Sequence, residues 1–168
     1  MGCPSVVTQP LPRLTRFASG TPRPPEATDI YQKRLFEDSY AVFCDAAERG
    51  RHRNADEYLA GEHATVVYEP RRALDIDDWL RAQGVHRRVV VSVPGMGGLG
   101  PMVCGSRLLA TAPSLLSQHA LRGLAHAGVP LPTPAMPMYM VWHRRHQADP
   151  VQRWLREQLQ AVVAEVLG

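Results

Sequence analysis

Hydrophobic and polar residues alternate with two different periods along the chain, and the pattern predicts strands and helices that follow one another from residue 30 onward. β-Branched and aromatic residues cluster in predicted strands at 30–44, which is bent, and at 64–68, 89–93, 108–111 and 138–143. Helices are predicted at 54–61, 75–83, 101–104, 114–124 and 150–166. Six prolines in the first 28 residues predict an irregular lead-in. The alternation predicts an α/β fold with a mixed, largely parallel sheet flanked by helices.

The stretch 87–113 is the most informative part of this pattern. Val89–Val93 is apolar on both faces apart from Ser92, which predicts a buried strand. Pro94 and the four glycines after it turn the chain sharply, and Pro101 suits the first turn of a short helix. A second strand follows, so the stretch forms a βαβ unit. Its glycine loop lies at the carboxyl end of the sheet, where open α/β sheets bind ligands.

The loop Gly95–Gly100 reads GMGGLG, which matches the dinucleotide-binding fingerprint G-x-G-x-x-G. That fingerprint needs an acidic residue about twenty positions later to hold the ribose hydroxyls, and the chain has no Asp or Glu between Asp78 and Asp149. Two other interpretations are open: glycines that serve only a tight turn and close packing, or a loop whose amides and helix N-terminus hold a small anion. The anion-binding interpretation is favoured.

Charge is distributed unevenly along the chain. Thirteen of the sixteen acidic residues lie between Glu26 and Asp78, whereas residues 79–148 carry seven Arg and five His and no acid. This segment is expected to lie in positive potential, which favours an anionic small molecule or an acidic partner. The arginines are scattered among strands and loops, so no nucleic-acid-binding helix or aromatic platform is indicated.

The three cysteines form no C-x-x-C pair, so neither a disulfide framework nor a zinc site is predicted. A reducing, cytoplasmic location is expected, and no signal peptide or membrane span is predicted. Cys104 is expected to be a buried structural cysteine. Because no nucleophile is paired with a base, the chain is predicted not to be an enzyme, with no cofactor and no metal.

Several pieces of the chain, from about residue 34 to residue 159, resemble the effector-binding domain of LysR-type transcriptional regulators, a bacterial family. The pieces are Arg34–Tyr40, Val93-Pro94, Leu109–Pro113, Trp142–Arg145, Asp149-Pro150 and Arg153–Arg156. The last three are the most specific.

The resemblance implies two α/β lobes, with a small effector bound in the cleft between them and DNA bound by an amino-terminal helix-turn-helix. The chain departs from this pattern: it has no helix-turn-helix and no opening strands of the first lobe, and Arg107 stands where the family commonly has Asp. We expect 1–29 to be a remnant of the first lobe, 30–132 the effector-binding lobe, and 133–168 the return to the first lobe. An incomplete lobe exposes apolar surface, so a homo-oligomer is expected.

Carried over residue by residue, the family's effector contacts fall on Pro94, Gly95, Met96 and Gly97. Arg16 is placed to pair with an effector carboxylate, with a solvated arginine as the alternative. The predicted function is therefore a ligand-sensing regulatory domain that binds a small, anionic effector between lobes and modulates transcription. Its partners are the effector, a second copy of the chain, and DNA only through the absent domain; no membrane contact is expected. The alternatives are a nucleotide-dependent (NAD/NADP) oxidoreductase and an inactive, truncated remnant.

Overall fold

A computed structural model describes residues 17–18, 28–50, 54–68 and 72–167. The chain divides into two compact units: the larger spans Glu37–Met138, and the described residues of the smaller are 17–18, 28–36 and 139–167. The strands are β1 (Phe17–Ala18), β2 (Ile30–Asp38), β3 (Tyr40–Cys44), β4 (Glu62–Tyr68), β5 (Arg72–Ala73), β6 (Arg88–Val93), β7 (Leu109–Pro113), β8 (Ala125–Gly128) and β9 (Met136–His143). The α-helices are α1 (Ala55–Leu59), α2 (Asp75–Ala82), α3 (Leu99–Val103) and α4 (Pro150–Leu167).

The larger unit is built on a mixed sheet with the strand order β5-β4-β7-β3-β8, and β6 pairs with β4 as well. Strand β4 runs parallel to β6 and β7, whereas β3 runs antiparallel to β7 and β8. The architecture is the predicted α/β class.

The direction of the parallel strands defines two opposite edges of this sheet. The parallel strands begin together at what we call the amino edge, where Glu62 pairs with Arg88 and His63 pairs with Leu109. They end at the opposite, carboxyl edge. Because β3 is antiparallel to β7, Tyr40 at its start lies beside Pro113 at the carboxyl edge.

The sheet is covered on both faces. Phe43 belongs to one core cluster, to which α2 contributes Ile76 and Leu80 and α3 contributes Leu99 and Val103. Its neighbours Val42 and Cys44 belong to a second cluster with Tyr58 of α1 and Leu109 of β7. This division follows from the period of two, which sends successive side chains of a strand to opposite faces.

Helix boundaries follow from local signals. The side-chain oxygen of Asn54 accepts a hydrogen bond from the backbone N–H of Glu57 at 2.9 Å and caps α1, as its spacing predicted. Asp149 caps α4 in the same way, accepting from Val151 N at 2.9 Å and from Gln152 N at 3.2 Å. Both caps satisfy backbone donors that a first helical turn leaves unpaired.

The prediction that the valine strand is buried was wrong. Val89 and Val90 are 43% and 45% exposed, and only Val93 is buried. Within the described residues β6 pairs with β4 alone, so its other side has no neighbouring strand. A continuous apolar run therefore marked an edge strand of this sheet and not a central one.

The predicted helix over residues 114–124 was also wrong. The chain forms a 3₁₀ helix at Ser114–Gln118, then turns, and then enters strand β8, which the pattern did not indicate. The turns close with short-range bonds, such as His119 N to Leu116 O at 3.0 Å. Gly123 adopts a φ of +91°, a left-handed conformation that ends helical propagation.

The smaller unit contains a three-stranded sheet in the order β1-β9-β2 together with α4. Trp142 of β9 donates from its indole nitrogen to the Gln147 side-chain oxygen at 2.6 Å. The buried Arg156 guanidinium lies 4.9 Å from the centre of the Trp142 ring and donates to the carbonyls of His146 and Gln147 at 3.3 and 3.0 Å. Two of the pieces that carry the family resemblance therefore pack against each other.

Candidate functional site

The glycine loop leaves the sheet at the carboxyl edge, as predicted. Strand β6 ends at buried Val93, Pro94 is exposed, and a 3₁₀ turn over Met96–Gly98 leads directly into α3. The turn is closed by a hydrogen bond from Gly98 N to the carbonyl of Gly95 at 3.0 Å. Met96 is partly buried and packs against the main core cluster, so the loop is anchored at its middle.

The four glycines of this loop fall into two groups. A Cβ atom added at Gly95 or Gly97 would meet nothing within 4 Å, so open space adjoins both residues. A Cβ added at Gly98 would lie 3.0 Å from Val93 Cβ, and one at Gly100 would lie 2.8 Å from the carbonyl oxygen of Ala120. Close packing therefore accounts for Gly98 and Gly100, whereas Gly95 and Gly97 border open space.

A carboxylate joins two strands at the same edge. Asp38 accepts hydrogen bonds from Ser39 N at 2.7 Å, from the Ser114 hydroxyl at 2.5 Å and from Leu115 N at 3.4 Å. The Ser114 N–H also donates to the carbonyl of Ser39 at 2.8 Å. These bonds hold the start of β3 against the end of β7. The sequence pattern did not predict the contact between Asp38 and Ser114, because the two residues meet only through strand pairing.

Three carboxylates lie near Tyr40 at the carboxyl edge. Burial, reinforced by the charges of Asp75, Asp77 and Asp38, raises the pKa of Tyr40 to about 12. The arginines at the starts of the parallel strands, Arg88 and Arg107, lie at the amino edge instead.

The structure describes four of the five residues predicted to contact an effector. Pro94, Gly95, Met96 and Gly97 form one continuous segment at the carboxyl edge, and their role in effector binding stays a prediction. Arg16 lies outside the described residues.

A buried ionic network lies between the sheet and its helices. Arg87, whose side chain is 3% exposed, forms an ion pair with Asp77 of α2. Arg87 also donates to the hydroxyls of Thr111 at 2.7 Å and Tyr58 at 3.1 Å. Thr65 donates to the second carboxylate oxygen of Asp77 at 2.7 Å. Charges buried in this way are tolerated when paired and hydrogen-bonded, so the network is a structural element of the larger unit.

His63 lies next to this network and is completely buried. Its Nε2 lies 2.8 Å from the carbonyl oxygen of Tyr58, which only accepts, so Nε2 carries the proton and Nδ1 is bare. Nδ1 has no hydrogen-bond partner within the described residues. Burial, together with the charge of Arg87, lowers the pKa of His63 to about 4.

The structure places two of the three cysteines, Cys44 and Cys104. Cys104 is exposed, which contradicts the expectation of a buried cysteine, because it follows α3 in a surface turn; Cys44 is the buried one. Over the described ranges, no three His, Cys, Asp or Glu side chains are placed to share a metal ion. No described helix is long and apolar enough to cross a bilayer.

Comparison with known proteins places this architecture in a family. The model of the LysR substrate binding domain matches residues 18–164. Nodulation protein D 2 of Rhizobium tropici is 32% identical over 130 residues, which cover 74% of this chain and 41% of that protein. Nodulation protein D 1 of Bradyrhizobium japonicum is 31% identical over 130 residues, covering 74% and 40%. The regulatory domain of MexT, a transcriptional activator in Pseudomonas aeruginosa, has a TM-score of 0.65 at 28% identity, covering 80% of this chain and 68% of that one.

The chain therefore belongs to the LysR substrate-binding domain family. It spans about two fifths of the length of the curated relatives that it matches. The family is one of transcriptional regulators and not of enzymes, and the comparisons give no support to the oxidoreductase alternative.

Proposed function

We propose that this chain acts without catalysis as the ligand-sensing part of a LysR-type transcriptional regulator. In this proposal a small organic effector binds at the carboxyl edge of the larger unit, against Pro94, Gly95, Met96 and Gly97. The single observation that carries the proposal is the open space beside Gly95 and Gly97, at the edge where α/β sheets bind ligands. DNA binding is assigned to a separate domain of a longer regulator.

The loop suits recognition of a small molecule for two physical reasons. Glycines without close neighbours let a ligand approach the backbone, and Met96 and the 3₁₀ turn keep that backbone in place before the ligand arrives. The charge asymmetry of the sequence favours an anionic effector, whereas the described side chains of the edge favour a ligand with hydrogen-bond donors. An effector with both a carboxylate and hydroxyl groups fits both observations.

A ligand screen with two matched variants tests this proposal. Binding of organic acids and phenols to the full chain is measured by thermal shift and then by calorimetry, since a ligand that binds only the native state raises its stability. Gly97→Val fills the open space and is expected to abolish binding without unfolding the protein. Gly128→Val places the same side chain in open space on β8 and is expected to leave binding unchanged. Equal affinity of the two variants would refute the placement of the effector.

Self-association belongs to the same proposal. Helix α4 exposes four large apolar side chains: Val151 (71%), Trp154 (59%), Val162 (53%) and Val166 (62%). Burying such a row of side chains in an interface is favourable. We infer that a second copy of the chain packs against this row of side chains. Sedimentation equilibrium is expected to show a dimer or larger oligomer, and Trp154→Ser is expected to weaken it. A monomer at all concentrations would contradict the assignment.

A cytoplasmic location completes the proposal. Neither Cys44 nor Cys104 forms a disulfide within the described residues, which agrees with a reducing compartment. Fractionation of cells that express the full-length gene, with detection of this segment by antibody, tests the assignment.

A further inference from the structure

A cavity of about 990 Å³ opens at the amino edge of the larger unit. The glycine loop lies at the opposite ends of the parallel strands. Its walls come from the segment after β3, the end of α1 and the segment before β7. Six charged residues line it: Glu48, Arg49, Glu57, Glu62, Arg88 and Arg107. The proposed function uses none of them.

Hydrogen bonds hold two of these walls together. One carboxylate oxygen of Asp45 accepts from Gly105 N at 2.7 Å and the other accepts from Ala47 N at 2.9 Å. These two backbone donors lower the pKa of Asp45, so the carboxylate is ionised at neutral pH. Arg49 Nη1 donates to the carbonyl oxygen of Arg107 at 3.2 Å. This is a further hydrogen bond between the segment after β3 and the segment before β7. These bonds fix two of the segments that line the cavity.

The arginines of the cavity are not equally satisfied. Arg88 forms an ion pair with Glu62, with 3.1 Å between Nη2 and Oε1. Arg49 is partly buried and donates to a carbonyl, and within the described residues its guanidinium forms no ion pair with a carboxylate. The guanidinium of Arg107 has neither an ion pair nor a hydrogen bond within the part of the chain that the structure describes. In the described part of the chain, these two arginines line one cavity without an ion pair to a carboxylate.

We propose that this amino-edge cavity is a second ligand site, in which Arg49 and Arg107 bind a small oxyanion, either a carboxylate or a phosphate. A guanidinium presents parallel N–H donors that match two oxygens of such a group, and two guanidiniums around one anion remove their mutual repulsion. Glu48 and Glu57 line the same cavity, so a polyanion such as nucleic acid is a poor occupant. The site is independent of the glycine loop.

The test is a titration of the isotopically labelled full chain with sodium phosphate and, separately, sodium succinate, followed by NMR. Sodium chloride at matched ionic strength is the reference. Saturable shifts are expected for the amides of 45–50 and 105–108 and for the Arg49 side chain. Binding of one titrant alone identifies the preferred oxyanion and supports the site. No saturable shift with either titrant overturns it.

Two variants make the test specific. Arg107→Gln removes the exposed guanidinium and is expected to weaken binding about tenfold, the effect of losing one charge-assisted interaction. Arg122→Gln removes an exposed arginine outside the cavity and is expected to change nothing. Shifts that concentrate at Gly95 and Gly97 and persist in Arg107→Gln would overturn the second site while supporting the glycine loop, so the two proposals fail separately.

Discussion

Protonation of His63 is expected to destabilise the larger unit as the pH falls. The residue is completely buried, its Nδ1 faces no acceptor within the described residues, and the charge of Arg87 lies close by. A proton at Nδ1 would therefore place an unpaired N–H and a second positive charge inside the core. The cost of this protonation is what lowers the pKa of His63 from 6.5 to about 4.

The sign and size of the effect follow from proton linkage. Between pH 6.5 and about 4 the unfolded chain binds a proton at His63 and the folded chain does not, so acid favours unfolding. The free energy of unfolding is at its full value above pH 6.5, falls through this window and levels off below it. The pKa difference corresponds to about 3 kcal/mol, at 1.36 kcal/mol for each pH unit.

Urea denaturation across this pH range measures the loss, and His63→Gln isolates the contribution of the imidazole. The Gln amide can donate to the Tyr58 carbonyl as Nε2 does, but it does not titrate, so the variant is expected to lose about 3 kcal/mol less than the parent between neutral and acid pH. His126→Gln, at an exposed histidine, is the matched control and is expected to follow the parent. Parallel loss of stability in the parent and His63→Gln would refute the reasoning, as would an NMR titration of His63 near its ordinary pKa.

Three further substitutions test the packing, each by urea denaturation at neutral pH. Asp77→Asn leaves the buried charge of Arg87 unpaired and is expected to cost about 3 to 5 kcal/mol, whereas Asp77→Leu combined with Arg87→Met is expected to cost less. Gly100→Ala forces a methyl group against the carbonyl of Ala120 and is expected to cost about 1 to 3 kcal/mol. Asn54→Ala removes a helix cap and is expected to cost about 1 kcal/mol; equal costs for all three would contradict the assigned causes.

Local signals in the sequence predicted the local structure well. The cap at Asn54, the period of α2 and the long apolar stripe of α4 each depend on residues within a few positions of one another. The strand, glycine loop and short helix of the βαβ unit are likewise read from neighbouring residues. These elements appear where the pattern predicted them, because tertiary contacts reinforce the local preference.

The sequence pattern could not predict features that depend on which strands pair with one another. Nothing in the run Val89–Val93 tells whether a second strand covers its outer side, so an edge strand was mistaken for a buried one. Asp38 and Ser114 are 76 positions apart and meet only because β3 pairs with β7. The pattern did not show that Arg88 and Arg107 lie at the edge where the parallel strands begin. The domain boundaries and the contact of Arg16 stay predictions.

The unequal surroundings of the loop glycines bear on how such a sensor can change its specificity. Positions 95 and 97 accept a larger side chain at no cost to packing, while positions 98 and 100 do not. Under the proposed placement of the effector, substitutions at the first two glycines change which molecule is detected, whereas the other two glycines preserve the scaffold. Under that placement, ligand specificity and folding stability depend on neighbouring glycines of the same six-residue loop, Gly95–Gly100.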